Sequence, residues 1–171
     1  MIAAAPAPAR SSADDAWQLF AQLLAEESAA LSRLNAAAVY LTQVLVDGSP
    51  QMIVDADRQL GAVRSAHAAA AAKRRGMQAR GFGQMNLQQV CAYTPRHMWP
   101  RFNQLMAELS YGAISLGITL NNNKSLIAAG LQRLVEMTAK LQESMTERTG
   151  VYRRRGYVSR SGSSVLVSSS V

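Results

Sequence analysis

One repeating interval governs what this chain can fold into. The positions Phe20, Leu24, Glu27, Leu31, Leu34, Ala38, Leu41 and Leu45 follow one another in alternating steps of four and three. That alternation averages close to the 3.6-residue turn of an α-helix, so all of them fall on one helical face. It recurs at Ile53, Ala56, Leu60, Val63, His67, Ala70, Arg74 and Met77. It recurs again at Phe102, Met106, Leu109, Ala113, Leu116, Leu120, Asn123, Ile127, Gly130, Leu134, Met137 and Leu141. A strand would need a period of two. Three such seams predict an all-α fold, an elongated antiparallel bundle of three long helices with disordered termini.

Composition agrees with the period. Alanine and leucine are the commonest residues, and aromatics make up only 6% against 49% for the apolar types together. These are helix formers, poor in the β-branched and aromatic residues that strands favour. A charged fraction of 17% is too low for a wholly disordered chain.

The breaks between seams set the organisation. An Ala/Pro-rich leader occupies residues 1–10 and is expected to be disordered. Ser12 is a candidate cap and Asp14 and Asp15 suit the first turn of a helix over about 11–46. Asp47-Gly48-Ser49-Pro50 is a turn signal. A second helix is expected over about 51–80, with Gly76, Gly81 and Gly83 breaking the pattern. A short helix is expected over about 86–93, closed by Thr94-Pro95. The third long helix runs over about 96–146, with a bend or break near Leu120–Lys124. Residues 11–149 thus form one helical-bundle domain, and 150–171 a flexible basic, serine-rich tail. Its piece SSVLVSSSV has β-like alternation and no side-chain charge.

The formal charge of +7 is unevenly placed. Residues 1–72 carry four Lys/Arg and seven Asp/Glu, whereas 73–101 carry Lys73, Arg74, Arg75, Arg80, Arg96 and Arg101 and no acid. Residues 102–149 balance, and 150–171 hold four arginines without an acid. These two basic islands suit an acidic protein surface, an anionic membrane or nucleic acid. Phe82 lies between arginines in KRRGMQARGFG, a pattern that can bind single-stranded nucleic acid by charge and stacking. The plainer reading is a solvated interhelix loop with arginines at a helix C-terminus.

Chemistry-bearing residues are sparse. Cys91 is the lone cysteine, so no intrachain disulfide forms, which suits a reducing compartment. The N-terminal residues lack a basic region followed by an apolar core, and no uninterrupted apolar run approaches a bilayer's thickness. A cytoplasmic location without membrane insertion is expected. His67 and His97 are far apart and no carboxylates cluster with them, so no metal site is expected. Cys91 and His97 would pair as nucleophile and base only through tertiary accident. The reading is a binding protein, not an enzyme, without a cofactor. Glu27 and Asn123 are the polar intruders in two apolar seams. Such residues cost stability and can fix register or partner choice. Alternatively, Glu27 lies at its seam's edge with its carboxylate in water.

The stretch LLAEESAAL resembles the opening signature of the FlgN family of flagellar export chaperones. Leu23, Leu24, Glu27, Ala30 and Leu31 match its two leucines, its glutamate three residues on and its Ala-Leu. Asn123, Leu126 and Ile127, followed by Leu131, Leu134, Met137 and Leu141, resemble the family's asparagine-centred stretch and long amphipathic run. Tyr152 and Gly156 resemble its closing tyrosine and glycine. Lys124 stands where the family has a glycine after the asparagine, Leu120 where it has an earlier asparagine, and Arg153 where a glycine follows the tyrosine.

The resemblance implies a type III secretion chaperone that binds the C-terminal helical segments of hook–filament junction proteins. It would deliver them to the flagellar export gate and its ATPase apparatus. Carried onto this sequence, the client-binding group is Asn123, Leu126, Ile127, Leu131, Leu134, Met137 and Leu141. The gate-docking group is Tyr152 and Gly156. An amphipathic helix with an uncovered apolar stripe can accept the amphipathic helices of a client. The bundle's own core is the other fate open to that stripe. Two further functional classes fit the residues: a nucleic-acid-binding helical protein using islands 73–101 and 153–160, and a structural coiled-coil protein that self-associates as a homo-oligomer.

Overall fold

The structure is a computed structural model that describes the backbone of residues 10–153 and the side chains of residues 14–146. Its elements are α1 (Arg10–Asp47), α2 (Pro50–Phe82), α3 (Leu87–Ala92), a 3-10 turn (Arg96–Met98) and α4 (Trp99–Arg153). The fold is all-helical, with no strand among the described residues. The leader expected over residues 1–10 lies outside the described residues except at Arg10, which begins α1. The tail expected over 150–171 lies outside them beyond the last turn of α4.

Local chemistry explains where the helices stop. After α1, the Gly48 N–H bonds the Val44 carbonyl at 2.8 Å. A Cβ at Gly48 would collide with that carbonyl and with the Val44 side chain, so only glycine fits. Ser49 then caps α2, its side chain accepting from Met52 N, and Pro50 takes the first helical position, where its missing N–H costs nothing. The α2 helix runs through Gly76 and Gly81, contrary to expectation, and ends only before Gly83. Gly83 adopts φ 61°, the left-handed region that other residues enter at a cost. Asn86 and Gln89 close a reciprocal capping box on α3. The α4 helix continues through 120–124, so the expected break there is absent.

By its contacts the chain divides into two units, Met1–Ile127 and Ala128–Val171. In the first, Phe20, Ala21 and Leu24 of α1 form a core with Val90, Met98, Phe102 and Leu105. Trp17, Met77, Phe82 and Leu87 pack around it. Ring centroids are 4.8 Å apart for Trp17–Phe82, 5.3 Å for Phe20–Phe82 and 6.1 Å for Phe20–Phe102. Each fully buried side chain of this size contributes about 1.5–3 kcal/mol. A second cluster joins Leu41 and Val44 to Ala56, with Leu45, Ile53 and Leu60 against it. Along α1 the partners on α2 are Phe82, then Arg74, then Ala56, with falling residue numbers. The partners on α4 are Phe102, Glu108, Gly112 and Asn123, with rising numbers.

The expected seam of α1 is its buried face: Phe20, Leu24, Glu27, Leu31, Leu34, Ala38 and Leu41 are all buried and Leu45 half-buried. On α2 only Ala56 and Ala71 are buried. The seam of α4 departs from expectation after Leu109. Gly112, Leu116, Thr119 and Asn123 line its inner face, while Ala113 and Leu120 are exposed. A glycine sits inside because α1 comes close there: a Cβ at Gly112 would lie 2.8 Å from Leu31 Cδ2. Residues Asp14–Asp47 of α1 are long and apolar enough, at mean hydropathy 1.2, to cross a membrane by length and composition. In this fold their apolar seam is buried in the core.

Candidate protein-docking face

The residues expected to bind a client fall into two environments. Asn123 is only 3% exposed. Its Nδ2 donates to the Ala38 carbonyl at 3.0 Å, and the Thr42 hydroxyl donates to its Oδ1 at 2.6 Å. Both ends of the amide are therefore engaged by α1, as a buried polar group requires. Asn123 thus joins α4 to α1 and is buried, unlike the exposed residues farther along α4 with which the resemblance groups it. Leu126 is half-buried and Ile127 is exposed.

Within the second unit, every described residue from 128 to 146 is exposed. Leu131, Leu134, Met137 and Leu141 are 59%, 62%, 60% and 60% exposed. They share one helical face by their spacing. Val135 and Met145, which lie off the four-and-three seam, are exposed beside it. Single exposed apolar residues are ordinary, and a row of them along successive turns makes this face a candidate interaction surface. Tyr152 lies within the bounds of α4, its side chain outside the described residues, and Gly156 lies outside them altogether.

The internal basic island is partly spent within the fold. Arg74 is turned inward, its Nε and Nη2 donating to the Glu27 carboxylate. Its Nη1 donates to Gln78 Oε1 at 2.7 Å, and Gln78 Nε2 donates to the Met85 carbonyl at 2.6 Å. Glu27 is therefore buried and paired, not an edge residue with its carboxylate in water. This chain of bonds ties α1, α2 and the segment before α3 together. Phe82, the candidate stacking residue, is half-buried and packs against Trp17 and Phe20. Lys73, Arg75 and Arg80 remain exposed.

Burial pushes the Cys91 thiol up, against an opposing pull from the Arg74 charge. A raised thiol holds less of the nucleophilic thiolate. His97 lies on the surface, 3.9 Å from Asp14, and His67 is half-buried on α2. Among the described residues, no three His, Cys, Asp or Glu side chains converge.

Comparison with family models, with curated proteins and with solved structures finds no match to this chain.

Proposed function

We propose that this chain is a flagellar export chaperone of the FlgN type, a binding protein and not an enzyme. In this reading it holds the C-terminal helical segments of hook–filament junction proteins in the cytoplasm and delivers them to the export gate. Consecutive long helices run antiparallel in a bundle that carries the docking helix. The observation that carries the reading is the exposed row Leu131, Leu134, Met137 and Leu141 on α4. An uncovered apolar helical face is the counterpart of an amphipathic client helix, which folds as it binds and loses conformational entropy in doing so. The resemblance of Leu23–Leu31 and of the stretch from Asn123 to the FlgN pattern supports the same assignment. Tyr152 and Gly156 are the proposed contact to the gate.

Nucleic-acid binding is less well supported. The aromatic between the arginines, Phe82, is half-buried against the core and Arg74 is paired with Glu27, which leaves Tyr93 and Trp99 as the exposed aromatics of the island beside Arg96 and Arg101.

The test is titration of the full chain with the C-terminal segment of a junction protein, followed by circular dichroism and calorimetry. The expected result is a stoichiometric complex, a gain in helicity and a negative heat-capacity change from apolar burial. No complex at tens of micromolar would remove the reading.

A further inference from the structure

The proposed docking face has a charged edge, and the edge specifies its occupant. Arg133 immediately precedes Leu134, and Lys140 immediately precedes Leu141. One heptad apart, the two cations lie on the same flank of the apolar row. The opposite flank carries Val135, Thr138 and Gln142, none of them charged. Glu136 and Glu143 lie farther round the helix, and Glu136 accepts from Gln132 at 3.2 Å. Neither cation is in an ion pair among the described residues, although each has a glutamate three residues on and Lys140 has another four back.

We infer that the face is built for an amphipathic helix whose apolar seam is edged with carboxylates. The inference rests on the docking reading above and names the chemistry of the partner. Charge also argues against the nearest rival, a second copy of the same face. In an antiparallel pair of these rows the two cation-bearing flanks would meet along one edge, where Arg133 of each copy would face Lys140 of the other, like charge against like. An acid-edged helix meets the same two positions with opposite charge. Exposed pairs of this kind are individually weak, so the effect is one of selection among apolar helices.

The test uses two helical peptides of identical composition and identical leucine seam. One has glutamates at the seam-flanking positions and lysines on its far face; the other has them exchanged. Equal net charge removes general attraction to a basic protein. Binding to the full chain is read by fluorescence anisotropy at low salt, with sedimentation of the chain alone as a companion. The expected result is a preference of about tenfold for the glutamate-edged peptide, shrinking as salt rises. The preference should reverse in Arg133→Glu/Lys140→Glu, whose exposed substitutions leave the helix content unchanged. Equal binding of both peptides would overturn the edge assignment while leaving the docking face standing. Binding of neither would overturn the docking face itself. A concentration-dependent mass that Leu134→Asp abolishes would give the face to a second copy and overturn the inference.

Discussion

Asn35 of α1 donates its side-chain amide to the Gly112 carbonyl of α4 at 2.9 Å, at the point where the missing Cβ of Gly112 leaves room for Leu31. The helix is held close by a bond and by the absence of a side chain. Gly112→Leu should therefore be destabilising by about 1–3 kcal/mol, the usual cost of overfilling a packed contact. Gly117 meets nothing within 4 Å. Gly117→Ala should instead stabilise by roughly 0.5–1 kcal/mol through helix propensity. Urea denaturation of the two variants checks the contrast.

The Glu27–Arg74 pair joins α1 to α2 with both side chains nearly enclosed, at 9% and 11% exposure. Removing one partner strands the other charge. Glu27→Ala or Arg74→Ala alone should cost about 3–5 kcal/mol, and Glu27→Leu combined with Arg74→Met should recover most of it. A double-mutant cycle measures the coupling. Additive losses would show that the pair does not act as a unit.

Asn123 gives a test of core against surface on one helix. Asn123→Ala removes the donor to Ala38 and the acceptor for Thr42. It should lower stability by about 1–3 kcal/mol. Client affinity of the folded fraction should stay unchanged.

Cys91 should link stability to alkaline pH. Its thiol is pushed up by burial, so the folded state holds its proton more firmly than the unfolded chain does. The contribution is constant while both states are protonated. It is lost progressively as pH rises above the ordinary thiol value of about 8.5, because the unfolded state then releases its proton first. Denaturation curves between pH 7 and 10 should show this decline, and Cys91→Ala should remove that component. In alkylation at pH 8, the native protein should react more slowly than the urea-unfolded chain.

Periodicity alone located the buried face of α1, because a heptad of large apolar residues admits one inward side. It was less informative for α4. There Gly112 and Thr119 lie inside while Ala113 and Leu120 lie outside, since close approach and hydrogen bonding outweighed hydrophobicity. Asn35 gave no signal in the sequence, because its partner is a main-chain carbonyl far along the chain. Nor could the seam show that Glu27 would meet Arg74, although both polar residues stood on the inner positions of their helices. The row from Leu131 to Leu141 is the clearest limit. A repeat states that a face is apolar, and only the fold states that nothing in its own unit covers it.

The most direct measurement of the central claim is paired binding and stability data on Leu131→Asp/Leu134→Asp. Both side chains are about 60% exposed, so the double variant should unfold in urea within about 0.5 kcal/mol of the parent. It should at the same time lose binding of the junction-protein C-terminal segment by at least about a hundredfold, as expected when charge is placed in an apolar contact. Parent-like binding by the stably folded variant would contradict the account.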